Sequence, residues 1–199
     1  MSDKIYQIKI TLKGSKPPIW RRILVESDML LSDFHKILQT TMGWLGGHLH
    51  EFVEGNKSYR SRLDDDDFWD SSVDVDYNKK GTRIRTLLKK IGDKIIYEYD
   101  FGDGWQHTIL LEEILPVDPE KVYPICIAGK MKCPPEDVGG IYGYEDILEV
   151  LKDPDNERYE EMIDWVGDDF DPKHFDKDEV NELLMQDDFG FIDLVINWD

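Results

Sequence analysis

The segment KIIYEYDFGDGWQHTILLEEIL, residues 94–115, constrains the fold of this chain more than any other. Two runs of alternating polar and apolar residues flank Gly102-Asp103-Gly104, and glycine supplies the positive φ that a tight chain reversal needs. The pattern predicts an antiparallel hairpin. Loop length sets its register, because a slip of one residue sends every side chain to the opposite face. A two-residue Asp103-Gly104 turn sets Asp100 opposite His107. A three-residue turn sets Tyr99 opposite His107 and gathers Ile95, Tyr97, Tyr99 and Phe101 with Trp105, His107, Ile109 and Leu111 on one face. The second register separates apolar from polar more cleanly and is the expected one. His107 then lies on an apolar face and needs a hydrogen-bond partner or a ligand, since an unsatisfied buried polar group costs on the order of 1–3 kcal/mol.

The rest of the chain supplies a sheet and helices for this hairpin. KIYQIKITLK (residues 4–13) alternates as a strand, and KPPIWRRILVE (residues 16–26) reads as a second, with its prolines at the entrance. Leu30, Leu31, Phe34, Ile37, Leu38 and Met42 recur at helical spacing, after Ser27 and Asp28, either of which can cap, and before Gly43 as a stop. GWLGGHLHEFVEGNKSYR predicts a strand at about residues 48–53, a Gly-Asn turn and a short returning strand. LDDDDFWDSSVDVDYNKKG has no sustained period and is expected to be an exposed loop, its four aspartates solvated; a short helix near residues 83–90 follows. Residues 116–140 carry most of the prolines and read as ordered loop with at most one short strand. Three helical patterns follow, one through Tyr144, Ile147, Leu148 and Leu151, one through Tyr159, Met162, Ile163 and Val166, and one through Val180, Leu183 and Leu184, capped by Asp176 or Asp178. FGFIDLVINWD closes the chain as an expected strand.

Strands and helices occur in runs, without βαβ alternation, which argues for an α+β fold. We expect a mostly antiparallel curved sheet around the hairpin, packed by one helix of the N-terminal half and a C-terminal helical group. The 199 residues are expected to form a single domain, 1–199, whose acidic, helix-rich part begins at about residue 141.

Charge narrows the partners. Residues 1–115 hold 17 Lys and Arg against 19 Asp and Glu, a net of −2, whereas residues 116–199 hold 7 against 24, a net of −17. Lys79–Lys94 carries seven cations and one acid, but a chain of net charge −19 repels phosphate at long range, so nucleic acid is not an expected partner. A basic protein facing the acidic C-terminal part, or a small ligand, fits better. No apolar run approaches the roughly 20 residues that cross a bilayer, and no secretory or transit segment opens the chain. The expectation is a soluble cytoplasmic protein that does not engage membranes, with Cys126 and Cys133 as reduced thiols.

The titratable residues outside the charge-rich surface runs form the candidate site. In a strand, His48 and His50 project from one face with Phe52, the beginning of a zinc site that His107, Cys126 or Cys133 could complete, with Asp100 or Asp103 as further ligands. Asp100, Asp103, Trp105 and His107 of the hairpin, with Glu136 and Asp137 of CPPED, are the candidate ligand-binding residues. GGIYGY lacks the preceding strand and the lysine of a phosphate loop. Two functions follow: a His/Asp/Cys pocket for a metal ion or small ligand, or a non-enzymatic interaction module with an acidic C-terminal face. No stretch matches a motif of established catalytic chemistry, and enzymatic activity is not assigned.

Taken together, IWRRI, MGW with HLHEF, YDFGDGWQHTILLE, CPPEDVGGIYGY and FDPKHFD followed by VNELL resemble the plasmid pRiA4b ORF-3-like family, from about Ile5 to about Leu184. The resemblance implies an uncharacterised α+β group, some of whose members look like passengers of mobile elements and have been labelled transposon resolvases. It implies no catalytic residue.

Overall fold

The hairpin lies at the centre of an eight-stranded open sheet. The computed structural model describes residues 4–62 and 70–192. Its strands are β1 (Lys4–Leu12), β2 (Trp20–Glu26), β3 (His50–Glu54), β4 (Lys57–Arg60), β5 (Asp74–Asp76), β6 (Lys94–Tyr99), β7 (Trp105–Pro116) and β8 (Ile125–Lys130). They are ordered β5-β4-β3-β6-β7-β1-β2-β8; β4 and β5 run parallel and every other neighbouring pair is antiparallel.

The hairpin register differs from the expected one. Tyr97 faces His107 and Tyr99 faces Trp105, so five residues, Asp100–Gly104, make the reversal. Asp100 causes this. It adopts a left-handed φ of 56°, its Oδ1 accepts from the Gly102 N–H at 2.9 Å, and its carbonyl accepts from the Gly104 N–H at 2.6 Å. Aspartate tolerates this conformation better than most side chains because it can bond its own loop. The slip is two residues, so the faces are preserved, except that Phe101 leaves the sheet and is 44% exposed.

Alternation in β1 buries Tyr6, Ile8, Ile10 and Leu12, and α1 (Leu31–Met42) lays Phe34, Ile37 and Leu38 into the same core, each fully buried. Burying such side chains contributes about 1.5–3 kcal/mol each. Neither Ser27 nor Asp28 caps α1. The helix starts after Leu30 with no side-chain cap; the Leu31 N–H bonds the Thr82 carbonyl at 2.9 Å, while Asp28 pairs with Arg85 at 2.8 Å. Gly43, at φ 94°, closes the helix as expected.

The stretch expected as a featureless loop contains β5 and the single-turn helix α2 (Tyr77–Lys80), and α3 (Ile84–Leu87) follows. Tertiary pairing with β4 organises this segment where local periodicity is absent. The C-terminal helices are α4 (Gly140–Val150), α5 (Tyr159–Val166) and α6 (Lys177–Leu184), with Asp176 capping α6. Ile147, Val150 and Met162 form a small second core. The aspartate run 64–67 and most of the expected closing strand lie outside the described residues; Phe189–Ile192, the start of that segment, is not strand. No helix among the described residues is long and apolar enough to cross a membrane.

Candidate functional site

Three quoted motifs meet at the hairpin tip. Trp44 of MGW stacks on Tyr99, with ring centroids 5.2 Å apart, and packs against Trp105 and His107, while its Nε1–H donates to the Pro134 carbonyl at 2.9 Å. Glu136 ties the same three segments. One of its oxygens accepts from the Tyr99 hydroxyl and the other from the Leu45 N–H at 3.3 Å. Asp103 Oδ2 accepts from the Gly139 N–H at 3.2 Å, and Gly140 is bare because a Cβ there would lie 2.4 Å from the Asp103 carbonyl oxygen. Trp105, Asp103 and Glu136 therefore hold the motifs together.

At the rim of this assembly stand His48, Asp100 and Asp137. One donor atom from each lies within 4.8 Å of the other two. The imidazole sits between the carboxylates, with Nδ1 3.8 Å from Asp100 Oδ2 and Nε2 3.2 Å from Asp137 Oδ1, and its ring meets Tyr99 edge-on. Asp100 splits its duties: Oδ1 holds the hairpin loop and Oδ2 faces His48. Asp100 and Asp137 both adopt left-handed backbone, at φ 56° and 59°. Such residues cost on the order of 1–3 kcal/mol and gather at functional sites.

The other expected ligands go elsewhere. His48 precedes β3, which begins only at His50, so the two do not lie on one strand face. His50 stacks on His35 of α1, centroids 3.5 Å apart and planes 4° apart, and its Nε2 bonds the Tyr77 hydroxyl at 2.8 Å. Burial pushes the His50 imidazole down to about 4. Gln39 donates to the Tyr97 hydroxyl oxygen at 2.8 Å, so the Tyr97 proton is given to His35 Nδ1, also at 2.8 Å. His107 is fully buried. Its Nδ1–H donates to the Tyr97 carbonyl at 3.4 Å, Nε2 has no partner among the described residues, and burial lowers the imidazole to about 4. Cys126 and Cys133 are free, buried thiols, which burial pushes up to about 11 and about 12. Among the described residues, His48, Asp100 and Asp137 are the one group of three or more His, Cys, Asp or Glu side chains close enough to hold an ion; His50, His107 and the cysteines are not part of it.

The model of the plasmid pRiA4b ORF-3-like protein matches residues 4–179. The chain belongs to this family. An uncharacterised protein, y4hQ, from Sinorhizobium fredii (strain NBRC 101917 / NGR234), is 34% identical over 168 residues, covering 84% of this chain and 83% of the relative. The crystal structure of a protein of unknown function, MM3350 from Methanosarcina mazei Go1, superposes with a TM-score of 0.80 at 39% identity, covering 90% of this chain and 98% of that one. Neither relative carries an assigned activity.

In this family member, sequence reasoning missed His35, Tyr77 and the buried Arg21. His35 stands alone in α1 and belongs to no motif. Its signal was positional, since it falls four residues after Leu31 and four before Gln39 on the buried side of the helix.

Proposed function

We propose that this protein binds a divalent metal ion through His48, Asp100 and Asp137, zinc or a metal of similar preference. The observation that carries the reading is the convergence of one imidazole and two carboxylates from three separate segments within 4.8 Å. Two donors each about 2.1 Å from an ion at a tetrahedral angle lie about 3.4 Å apart; one imidazole nitrogen and one oxygen of each carboxylate already lie within 4.8 Å of one another, so side-chain rotation can bring the three onto one ion. An N,O,O donor set suits borderline divalent ions, and three protein ligands leave a position for water or a ligand, which the ion would polarise. A cavity of about 280 Å³, lined by His48, His35, His50, Ser32, Ser61 and Asn78, adjoins His48 and offers room for a small polar ligand. Zinc titration of untagged protein by calorimetry tests the reading: one site is expected, weakened at least about tenfold by Asp137→Asn, and no saturable uptake sinks it.

A second reading is an interaction module, supported by the net charge of −17 over residues 116–199. It expects salt-sensitive capture of a basic polypeptide such as polylysine, unaffected by Asp137→Asn; equal capture at high and low salt counts against it.

A further inference from the structure

The two arginines of IWRRI, both on β2, occupy opposite environments. Arg22 is paired with Glu112 through two bonds, at 2.5 and 2.9 Å. Arg21 is 3% exposed and has no carboxylate partner among the described residues. Its Nε donates to the Thr41 carbonyl at 2.8 Å and its Nη1 to the Trp20 and Lys130 carbonyls at 3.0 and 3.1 Å. Phe175 covers the guanidinium at 4.2 Å, and a Cβ at Gly129 would strike that ring at 2.4 Å. Carbonyl dipoles thus satisfy Nε and Nη1, while the Nη2 hydrogens have no acceptor among the described residues.

Arg21 lines a cavity of about 180 Å³ together with Lys132, Cys133, His174, Asp176 and Glu179. The acids there are engaged: Glu179 with His174 at 3.2 Å, and Asp176 with the Asp178 N–H at the start of α6, at 2.7 Å. Lys132 makes no ion pair among the described residues, its ammonium resting 5.2 Å over the Phe170 ring. A buried cation without a counter-charge costs several kcal/mol, and a guanidinium fork matches an oxyanion in charge and shape.

We propose that this cavity is a binding site for a small tetrahedral oxyanion, phosphate or sulfate in class, held by Arg21 Nη2 and Lys132. It shares no residue with the His48 cluster, so the two sites stand or fall separately. The test is titration of the full chain with inorganic phosphate and with sulfate, in chelator and at constant ionic strength. One saturable site is expected, weakened about tenfold by Lys132→Gln and at least tenfold by Arg21→Lys, which keeps charge and loses the fork. Asp137→Asn should bind phosphate as the wild type does. Should Arg21→Lys not fold by circular dichroism, Lys132→Gln and a second readout carry the test: phosphate should raise the urea midpoint of the wild type and do so less in Lys132→Gln. Absence of saturable binding by the wild type, equal affinity in folded Lys132→Gln, or acetate binding as tightly as phosphate overturns the proposal.

Discussion

His48 and His50 stand two residues apart and line one cavity, yet one lies between two carboxylates and the other is stacked on a second imidazole. The His48 side chain keeps 33% of its surface exposed and can exchange partners. His50 is held by Tyr77 and by the stacked His35, and His35 is fixed by Tyr97, whose hydroxyl oxygen is already taken by Gln39. There the Tyr77 and Tyr97 hydroxyls are committed to His50, His35 and Gln39, and these histidines act as core residues. At the rim, charge is gathered without being fully committed, which is what a metal site requires. The contrast shows that neighbouring imidazoles in a motif take their roles from what the tertiary fold sets against them.

Acidification attacks the interior most strongly. His50 and His107 have folded values of about 4 against about 6.5 unfolded, and His35 is shifted in the same direction by burial. A depressed histidine contributes stability that is full above pH about 6.5 and is lost as pH falls towards 4, because the unfolded chain then binds the extra proton. For His50 and for His107 this amounts to on the order of 3 kcal/mol. Urea unfolding followed from pH 7 to pH 4 should show a steep loss, reduced in His50→Phe; a flat profile breaks the distinction between interior and rim.

Tyr97→Phe comes next. It deprives Gln39 Nε2 and His35 Nδ1 of their shared hydroxyl, and each buried orphan costs on the order of 1–3 kcal/mol. A loss of about 3 kcal/mol in urea midpoint analysis, with zinc affinity unchanged, is expected; loss of zinc binding in the folded variant would merge the two regions. A smaller effect is expected at the joint between them. Asp103→Ala removes the bond to the Gly139 N–H and should cost about 1 kcal/mol by the same measurement.

How much of this was legible differs along the chain for physical reasons. Alternation in β1 and β6 and the helical spacing of α1 carry tertiary information locally, so their buried faces were readable. The length of the hairpin loop was not, because it depends on Asp100 adopting positive φ and bonding its own loop, which no hydrophobic pattern records. The same holds for the site. His48, Asp100 and Asp137 were each singled out, but their grouping depends on where the 134–140 loop docks, and that is set by Trp44 and Glu136 contacts 37 to 91 residues apart in sequence. β5 and α2 were invisible because pairing with β4, and not a local period, organises them.

The rim can be probed with little disturbance to the interior. Asp137 is 65% exposed at its side chain, so Asp137→Asn should change stability by less than about 0.5 kcal/mol. Asp100→Asn keeps the acceptor that the Gly102 N–H needs and removes the charge facing His48. The most direct measurement is calorimetric zinc titration of the untagged wild type beside Asp137→Asn and Asp100→Asn at pH 7, repeated at pH 5. One site is expected in the wild type, at least about tenfold weaker in either variant, and weaker at pH 5, because metal ligands must be deprotonated to bind. Wild-type protein that takes up no zinc, or variants that bind it as tightly as the wild type, would contradict the assignment of His48, Asp100 and Asp137.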